Sequence, residues 1–249
     1  MIWSLPDSPA ARLQLAYGYP YGAPSDGYLL RDSEPAPLER GCFEGRVPVL
    51  AHGSNRAPEQ LARKFPSGDI PVTCVWLKDH AVAYAACLTR YGACPSLLLH
   101  RPGVKVLLSL TWLTREQLAI MHRTEGNYRF GKLEADFAPL EGPEPQTLYL
   151  YHGKSGILLL RGGAVGLAAV SSRGDRLPQQ LRQKQVLAEL HRLADTRESL
   201  DDFVLRMIDN AQERRRFNQQ LAKHSLVNRL PGFHALAELA APTLTSCPA

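Results

Sequence analysis

Apolar and polar positions change rhythm several times along the chain, and each rhythm predicts an element. Val104, Val106, Leu108 and Leu110 recur at every second position within 103–112, the period of a strand with one buried face. Residues 96–100 supply a neighbouring apolar strand, and 147–152 read as a closing one. Residues 71–86 contain two strand-like pieces around the polar Lys78-Asp79-His80. Upstream, the β-branched run 46–51 predicts a buried strand, followed by a tight turn at His52-Gly-Ser-Asn-Arg56. Pro58 and Glu59 suit the first turn of a helix whose inner face carries Leu61 and Phe65.

A second helix is delimited by its own end signals. Thr114 with Gln117 three residues on forms a Thr-x-x-Gln capping box, and Leu113 and Leu118 make the matching hydrophobic staple. Gly126 is the expected left-handed stop. Between these limits Leu118, Met121 and Glu125 fall on one stripe, so a carboxylate shares the core-facing side. After residue 155 the spacing becomes helical over 177–194, 199–213 and 214–226. Leu187, Leu190 and Ala194 define one face, and Phe203, Met207 and Ala211 another. Ser199 with Asp202 adds a further cap.

The resulting expectation is an α+β chain in three parts. Residues 1–44, rich in Pro, Gly and Tyr, form an irregular N-terminal arm with one short helix near 9–16. Residues 45–155 form a β-rich domain with inserted helices, and residues 156–249 a mainly helical C-terminal extension.

Composition narrows the function classes. A hydrophobic fraction of 45% over 249 residues is enough to bury a sizeable core. The net charge of +5 admits an acidic substrate but is too small to argue for nucleic acid. The five cysteines, Cys42, Cys74, Cys87, Cys94 and Cys247, are odd in number and lack Cys-x-x-Cys spacing. They argue against a disulfide framework or a zinc site, so no metal ligand is assigned. The opening Met-Ile-Trp-Ser-Leu-Pro-Asp has neither the basic nor the apolar region of a signal peptide. The apolar stretch 156–170 is broken by Arg161-Gly-Gly163, so no membrane span is expected. A cytoplasmic location with free thiols follows as the expectation.

Two groups of residues are candidates for chemistry. Gly53-Ser54-Asn55 turns the chain between strand and helix, where free backbone N–H groups can hold a carboxylate or phosphate; such turns also occur with no ligand. Glu125 is either a solvated helix-end charge or a buried acid. Burial and the helix dipole would then raise its pKa toward the range of a proton carrier.

Together these residues resemble a known family. The run Val-Leu-Ala-His-Gly-Ser-Asn (49–55) resembles the Tyr-Gly-Ser-Asn loop of the γ-glutamylcyclotransferase-like family. The block 103–128, from Gly103-Val-Lys-Val through Arg123-Thr-Glu-Gly-Asn-Tyr128, resembles that family's strand, helix and catalytic Glu-Gly. Trp76-Leu-Lys-Asp79 and Gly92-Ala-Cys-Pro-Ser96 follow the family order between them, so the resemblance spans about 45–152.

The resemblance implies a mixed β-barrel with flanking helices, carrying a pocket between the loop and the Glu. It implies cyclisation of a γ-glutamyl amide or peptide to 5-oxoproline, with no cofactor. Glu125 would be general base and then acid, and His52, Gly53, Ser54, Asn55 and Tyr128 would bind substrate. The leaving group stays open among an amino acid, a polyamine-like amine, a glutathione-type peptide and a biosynthetic intermediate. His52 departs from the family Tyr, and Arg56 from a common apolar residue; Arg56 is expected to face solvent. A Cys/His nucleophile is the weaker reading, because Cys87, Cys94, His80 and His100 lie scattered on strands. The alternative from another class is a non-catalytic module of the same fold. It would bind a protein or RNA partner through the pocket or through basic helices carrying Arg214-Arg-Arg216 and Lys223.

Overall fold

The two longest alternating stretches become the structural spine. The computed structural model describes residues 4–236; Cys247 and the Met-Ile-Trp start lie outside them. Helix α1 (Pro9–Gly18) leads to a strand pair, β1 (Tyr28–Arg31) and β2 (Glu34–Ala36). Strand β3 (Val47–Ala51) runs through a 3-10 turn (Ser54–Arg56) into α2 (Pro58–Lys64). The hairpin β4 (Ile70–Tyr84) and β5 (Ser96–Leu113) follows, then α3 (Arg115–Thr124). Next come β6 (Tyr128–Leu133), β7 (Phe137–Pro139) and β8 (Leu148–Gly153). Strands β9 (Ile157–Leu160), β10 (Gly163–Leu167), β11 (Ser172–Arg173) and β12 (Gln179–Leu181) precede three helices. These are α4 (Gln183–Leu193), α5 (Leu200–Asp209) and α6 (Ala211–Ala222), with β13 (Ser225–Leu226) and β14 (Phe233–Ala235) beyond them.

Strands β4 and β5 pair antiparallel from Val72↔Thr111 to Tyr84↔Ser96, with a register shift between Lys78 and His80. The polar Lys78-Asp79-His80 is therefore a bulge inside one long strand and not a break between two. Asp79 adopts φ 56°, and its carboxylate accepts from the N–H of Gly103 at 2.8 Å, so the two strands bend together. Strand β3 is central, antiparallel to β5 and parallel to β8, which explains its near-continuous apolar run.

The architecture is mixed α+β with one large sheet and six helices among the described residues. The expected barrel does not close. Strand order runs β13-β9-β10-β4-β5-β3-β8-β6-β14, and the two terminal strands do not pair with each other. Both come from the C-terminal region: β14 occupies the outer edge of β6, and β13 extends the far side through β9. The edges that a barrel would join are thus already filled.

The flanking regions also differ from expectation. Residues 28–36, expected as irregular chain, form a hairpin-like pair whose β1 hydrogen-bonds β4 at Tyr28↔Val72. Tyr28, Leu29 and Leu30 are buried there, a three-residue apolar signal too short to stand out among Pro and Gly. The expected helix 177–194 begins only at Gln183, because 179–181 pair with β10. Asn210 divides the later helical stretch by capping α6, and Ala211 is exposed.

Two apolar clusters decide where the ends of these elements meet. One unites the β4–β5 face with Val186, Leu187, Leu190, Phe203, Met207 and Phe217 of α4, α5 and α6. The other packs Leu61 and Phe65 of the α2 end and Leu118 and Met121 of α3 against Val47, Val49, Tyr149 and Tyr151. Helices α2 and α3 share this second cluster, and their C-terminal ends converge.

The C-terminal helices also grip the segment between β4 and β5. Asn218 of α6 accepts from the Leu88 N–H at 2.7 Å and donates to the Leu88 carbonyl at 3.0 Å. The Gln183 amide pairs in the same way with the backbone of Cys94, at 3.1 and 2.7 Å. Gly92, at φ +78°, lies where a Cβ would fall 2.9 Å from Ile208 of α5. Helix α1 is tied to α5 by Arg12–Asp209 and Tyr17–Asp201, each at 2.5 Å. Asn218→Ala leaves both Leu88 backbone groups without their partner. It is expected to lower unfolding stability by about 1–3 kcal/mol in chemical denaturation. An unchanged midpoint would show that the clamp contributes nothing.

Candidate active site

The site begins at the turn after β3. Gly53 is required here by close approach and not by a left-handed backbone: its φ is −130°, and a Cβ would fall 2.5 Å from Tyr19 Oη and 2.6 Å from Ser96 Oγ. The turn's own bonds are Arg56 N–H to Gly53 O at 3.3 Å and Ala57 N–H to Ser54 O at 3.0 Å. The N–H groups of Gly53, Ser54 and Asn55 take no part in them.

Glu125 arrives at the same place from α3. The Thr114/Gln117 capping box forms with both of its hydrogen bonds, and Leu118 and Met121 are buried as the periodicity predicts. The helix does not end on a left-handed Gly126. Glu125 is itself the C-cap at φ −107°, ψ 33°, its N–H donating to His122 O at 3.3 Å. A Cβ on Gly126 would meet nothing within 4 Å, so no steric demand fixes glycine there.

The Glu125 carboxylate is buried, with 11% of its side chain exposed. Its Oε1 accepts from Lys64 Nζ at 2.5 Å and from Asn55 Nδ2 at 3.0 Å. The expected upward pKa shift is reversed. Burial pushes it up, but the Lys64 ammonium, the Asn55 amide and His52 outweigh burial and hold the carboxyl below its ordinary value. Lys64 was invisible to sequence reasoning: a lysine closing a short helix reads as a solvated charge favourable to the dipole. Here only 5% of its side chain is exposed. Two buried ions are costly to desolvate, and removing one partner of such a pair typically costs about 3–5 kcal/mol.

His52 stands behind the turn, buried, with Nε2 3.3 Å from the Tyr151 carbonyl and Nδ1 3.2 Å from Ser96 Oγ. A carbonyl only accepts, so the ring proton sits on Nε2 and Nδ1 is unprotonated, while the Ser96 hydroxyl donates to the His52 carbonyl at 3.2 Å. Burial pushes the imidazole pKa down to about 4, and the ring is neutral near pH 7. Tyr19, from the arm after α1, completes this shell: its Oη accepts from Ser96 N–H and lies 2.8 Å from Ser96 Oγ. The arm was not expected to enter the site; the Pro/Gly-rich context of Tyr19 carries no such signal.

Arg56 was expected in solvent but is buried, with Nε donating to Ser109 Oγ at 3.3 Å and its carbonyl accepting from Tyr28 Oη. Covered by β1, it braces the turn from below. Tyr128 is partly buried at the start of β6 and lines the cleft. The buried thiols of Cys74 and Cys94 are held as thiols by burial, Cys74 up to about 11, so neither is an activated nucleophile. His80 and His100 face each other at 5.5 Å and neither lines the cleft. Arg214 of the basic run caps α5 by donating to the Ile208 carbonyl, leaving Arg215 and Arg216 exposed.

These groups enclose a cleft of about 370 Å³, within the range of small-molecule sites. The structure brings His52, Gly53, Ser54, Asn55, Glu125 and Tyr128 to its walls, and adds Tyr19, Lys64 and the 89–91 segment that α6 clamps. Among the described residues no group of three His, Cys, Asp or Glu side chains is placed to hold a metal, and no helix is long and apolar enough to cross a membrane.

No family model matches the chain, and no curated protein matches its sequence. Solved structures similar to it include an uncharacterized protein from Homo sapiens, 19% identical, covering 45% of this chain and 70% of that one at a TM-score of 0.36. Another is a gamma-glutamyl cyclotransferase, 14% identical, covering 78% of this chain and 94% of that one at a TM-score of 0.35. Both likenesses are distant and assign nothing to this chain.

His52 makes stability pH-dependent with a definite sign. Between its ordinary value of 6.5 and its folded value of about 4, the unfolded chain takes a proton that the fold refuses. Stability from this residue is therefore full above pH 6.5 and is lost as pH falls toward 4, by about 3 kcal/mol in all. His80, His122 and His152 are shifted the same way, so the test is the difference between wild type and His52→Gln. The variant is expected to lose stability less steeply from pH 6.5 to 4.5 in denaturant titrations. Parallel curves would contradict the assignment.

Proposed function

We propose that this chain is a cyclotransferase converting a γ-glutamyl amide or γ-glutamyl peptide to 5-oxoproline, with release of an amine or amino acid. The observation carrying the reading is the 3.0 Å hydrogen bond from Asn55 to Glu125, which joins two segments 70 residues apart inside one cleft. Those are the Gly-Ser-Asn loop and the Glu-Gly block whose residues resemble the γ-glutamylcyclotransferase-like family.

The chemistry uses groups the chain already holds. Glu125, ionised at rest, takes a proton from the substrate's α-ammonium. The freed amine attacks the γ-carbonyl carbon of the same molecule, and the carbonyl π pair moves onto oxygen. That pair then returns and the bond to the departing nitrogen breaks as Glu125 hands its proton to it. The second proton, left on the ring nitrogen by the attack, passes through the freed Glu125 carboxylate to the amine, which leaves as an ammonium beside the neutral lactam. Attack within one molecule draws much of its acceleration from holding the glutamyl chain folded, the task assigned to the walls formed by His52, Tyr19 and Tyr128. The N–H groups of Gly53, Ser54 and Asn55 are assigned to the substrate's glutamyl part and its developing oxyanion. His52 replaces the family Tyr with a neutral ring anchored through Ser96 and Tyr151, so it shapes the wall without adding charge.

Release of 5-oxoproline from a panel of γ-glutamyl amino acids, amines and peptides tests the reading, run beside Glu125→Gln. The substitution is expected to lower kcat by about 10²–10⁴-fold for whichever substrate turns over. Turnover unchanged by the substitution would exclude Glu125 as proton carrier. No turnover by the wild type on any member, with a γ-glutamyl compound bound in the cleft, would favour a non-catalytic binding module.

A further inference from the structure

The Lys64–Glu125 pair has a geometry that an ordinary stabilising ion pair does not need. Lys64 Nζ at 2.5 Å and Asn55 Nδ2 at 3.0 Å both donate to Oε1 of the carboxylate; Oε2 receives neither. Lys64 Nζ otherwise touches Met121 Sδ at 3.4 Å, a weak acceptor, so its charge is directed at Glu125. Lysine and carboxylate both line the cleft, and both are almost wholly buried. By contrast Arg31 pairs with Glu39 on the open surface.

We propose that Lys64 is a positioning residue for Glu125: with Asn55 it pins Oε1, leaves Oε2 as the oxygen that takes and returns the proton, and keeps the buried acid a carboxylate before substrate arrives. This rests on the cyclotransferase reading above. The physical need is specific to the site. Burial by itself drives a glutamate toward its neutral form, as far as several pH units, and a neutral acid cannot accept the substrate's proton. A neighbouring ammonium restores the ionised form without occupying both oxygens. When the substrate's α-ammonium docks, one carboxylate faces two cations, which also loosens the proton that must leave. That proton moves to Oε2 as the amine becomes the nucleophile, and it departs with the leaving nitrogen; Lys64 keeps its own protons throughout.

The other groups facing Glu125 do not substitute for Lys64. His52, beyond the end of β3, is neutral near pH 7. Tyr91 from the β4–β5 segment, Tyr128 from β6 and Tyr151 from β8 have their phenol pKa values raised by burial and remain uncharged. Arg90 and Arg123 also line the cleft, but the groups that draw the Glu125 carboxyl down most are Lys64 and Asn55.

The experiment is a pair of titrations on the full chain. The Glu125 carboxyl is followed by ¹³C NMR without substrate, assigned by its loss in Glu125→Gln, in wild type, Lys64→Met and Lys64→Arg. The pH profile of kcat/KM is then taken for the same proteins. In the wild type the carboxyl titrates below an ordinary glutamate. In Lys64→Met the titration and the acid limb of kcat/KM both move up by about one pH unit or more, while Lys64→Arg holds both near wild type. A Lys64→Met protein with the wild-type titration and acid limb overturns the proposal. Should Lys64→Met fail to fold, the wild-type titration still decides, since a carboxyl titrating above an ordinary glutamate overturns the proposal without the variant. The two readings separate cleanly. Absence of 5-oxoproline from the wild type removes the cyclotransferase, and with it the proton-transfer role, even where the NMR shift occurs. Normal wild-type turnover with an unshifted Lys64→Met titration removes Lys64 alone.

Discussion

The structure turns on keeping one carboxylate charged where water hardly reaches it. Glu125 lines a cleft with little of its side chain exposed, and burial alone would push it toward the neutral form. Its charge survives because the ends of α2 and α3 converge, and they converge because Leu61, Phe65, Leu118 and Met121 share one apolar cluster. Packing thus sets the electrostatics: the same contacts that bury the acid deliver Lys64 to within 2.5 Å of it. The Asn55 amide then links this charge to the turn that follows β3.

The remainder of the chain serves as walls and braces for that arrangement. Tyr19 comes from an arm held by α5, and its phenol fills the space that makes Gly53 indispensable. The segment carrying Thr89, Arg90 and Tyr91 into the cleft is gripped by Asn218 and Gln183 of the C-terminal helices. Those helices are an integral support for the site, since they pack in the same apolar cluster as the β4–β5 face. The sheet stays open for a related reason: short strands from the C-terminal region take the edges a barrel would join.

What the sequence made legible was local. The Thr114/Gln117 box, the buried stripe of Leu118 and Met121, the buried β3 and the turn at 53–55 are each encoded within a few residues, and each is present. The approach of Asn55 to Glu125 could be anticipated only through the resemblance of both segments to one family. What escaped was long-range. Lys64 and Arg56 are charged side chains whose burial depends on elements distant in sequence, and neither carries a periodic signal of it. The pKa direction of Glu125 is hidden for the same reason: burial and dipole are local signals, but the cation that reverses them lies on another helix. At Asp79 a polar triplet resembled a turn, because a bulge and a loop look alike until the partner strand is known.

An acid held ionised, beside a turn whose Gly53, Ser54 and Asn55 N–H groups take no part in its own hydrogen bonds and with neutral aromatic walls, suits a reaction whose nucleophile is supplied by the substrate. The central claim is that the attacking group is the substrate's own α-amine, which water does not replace. It is tested most directly by giving the wild type a γ-glutamyl amino acid and its N-acetylated form side by side and identifying the products. The account predicts 5-oxoproline from the free amine and no cleavage of the acetylated compound. Release of N-acetylglutamate at a comparable rate would contradict it, since water would then be the nucleophile.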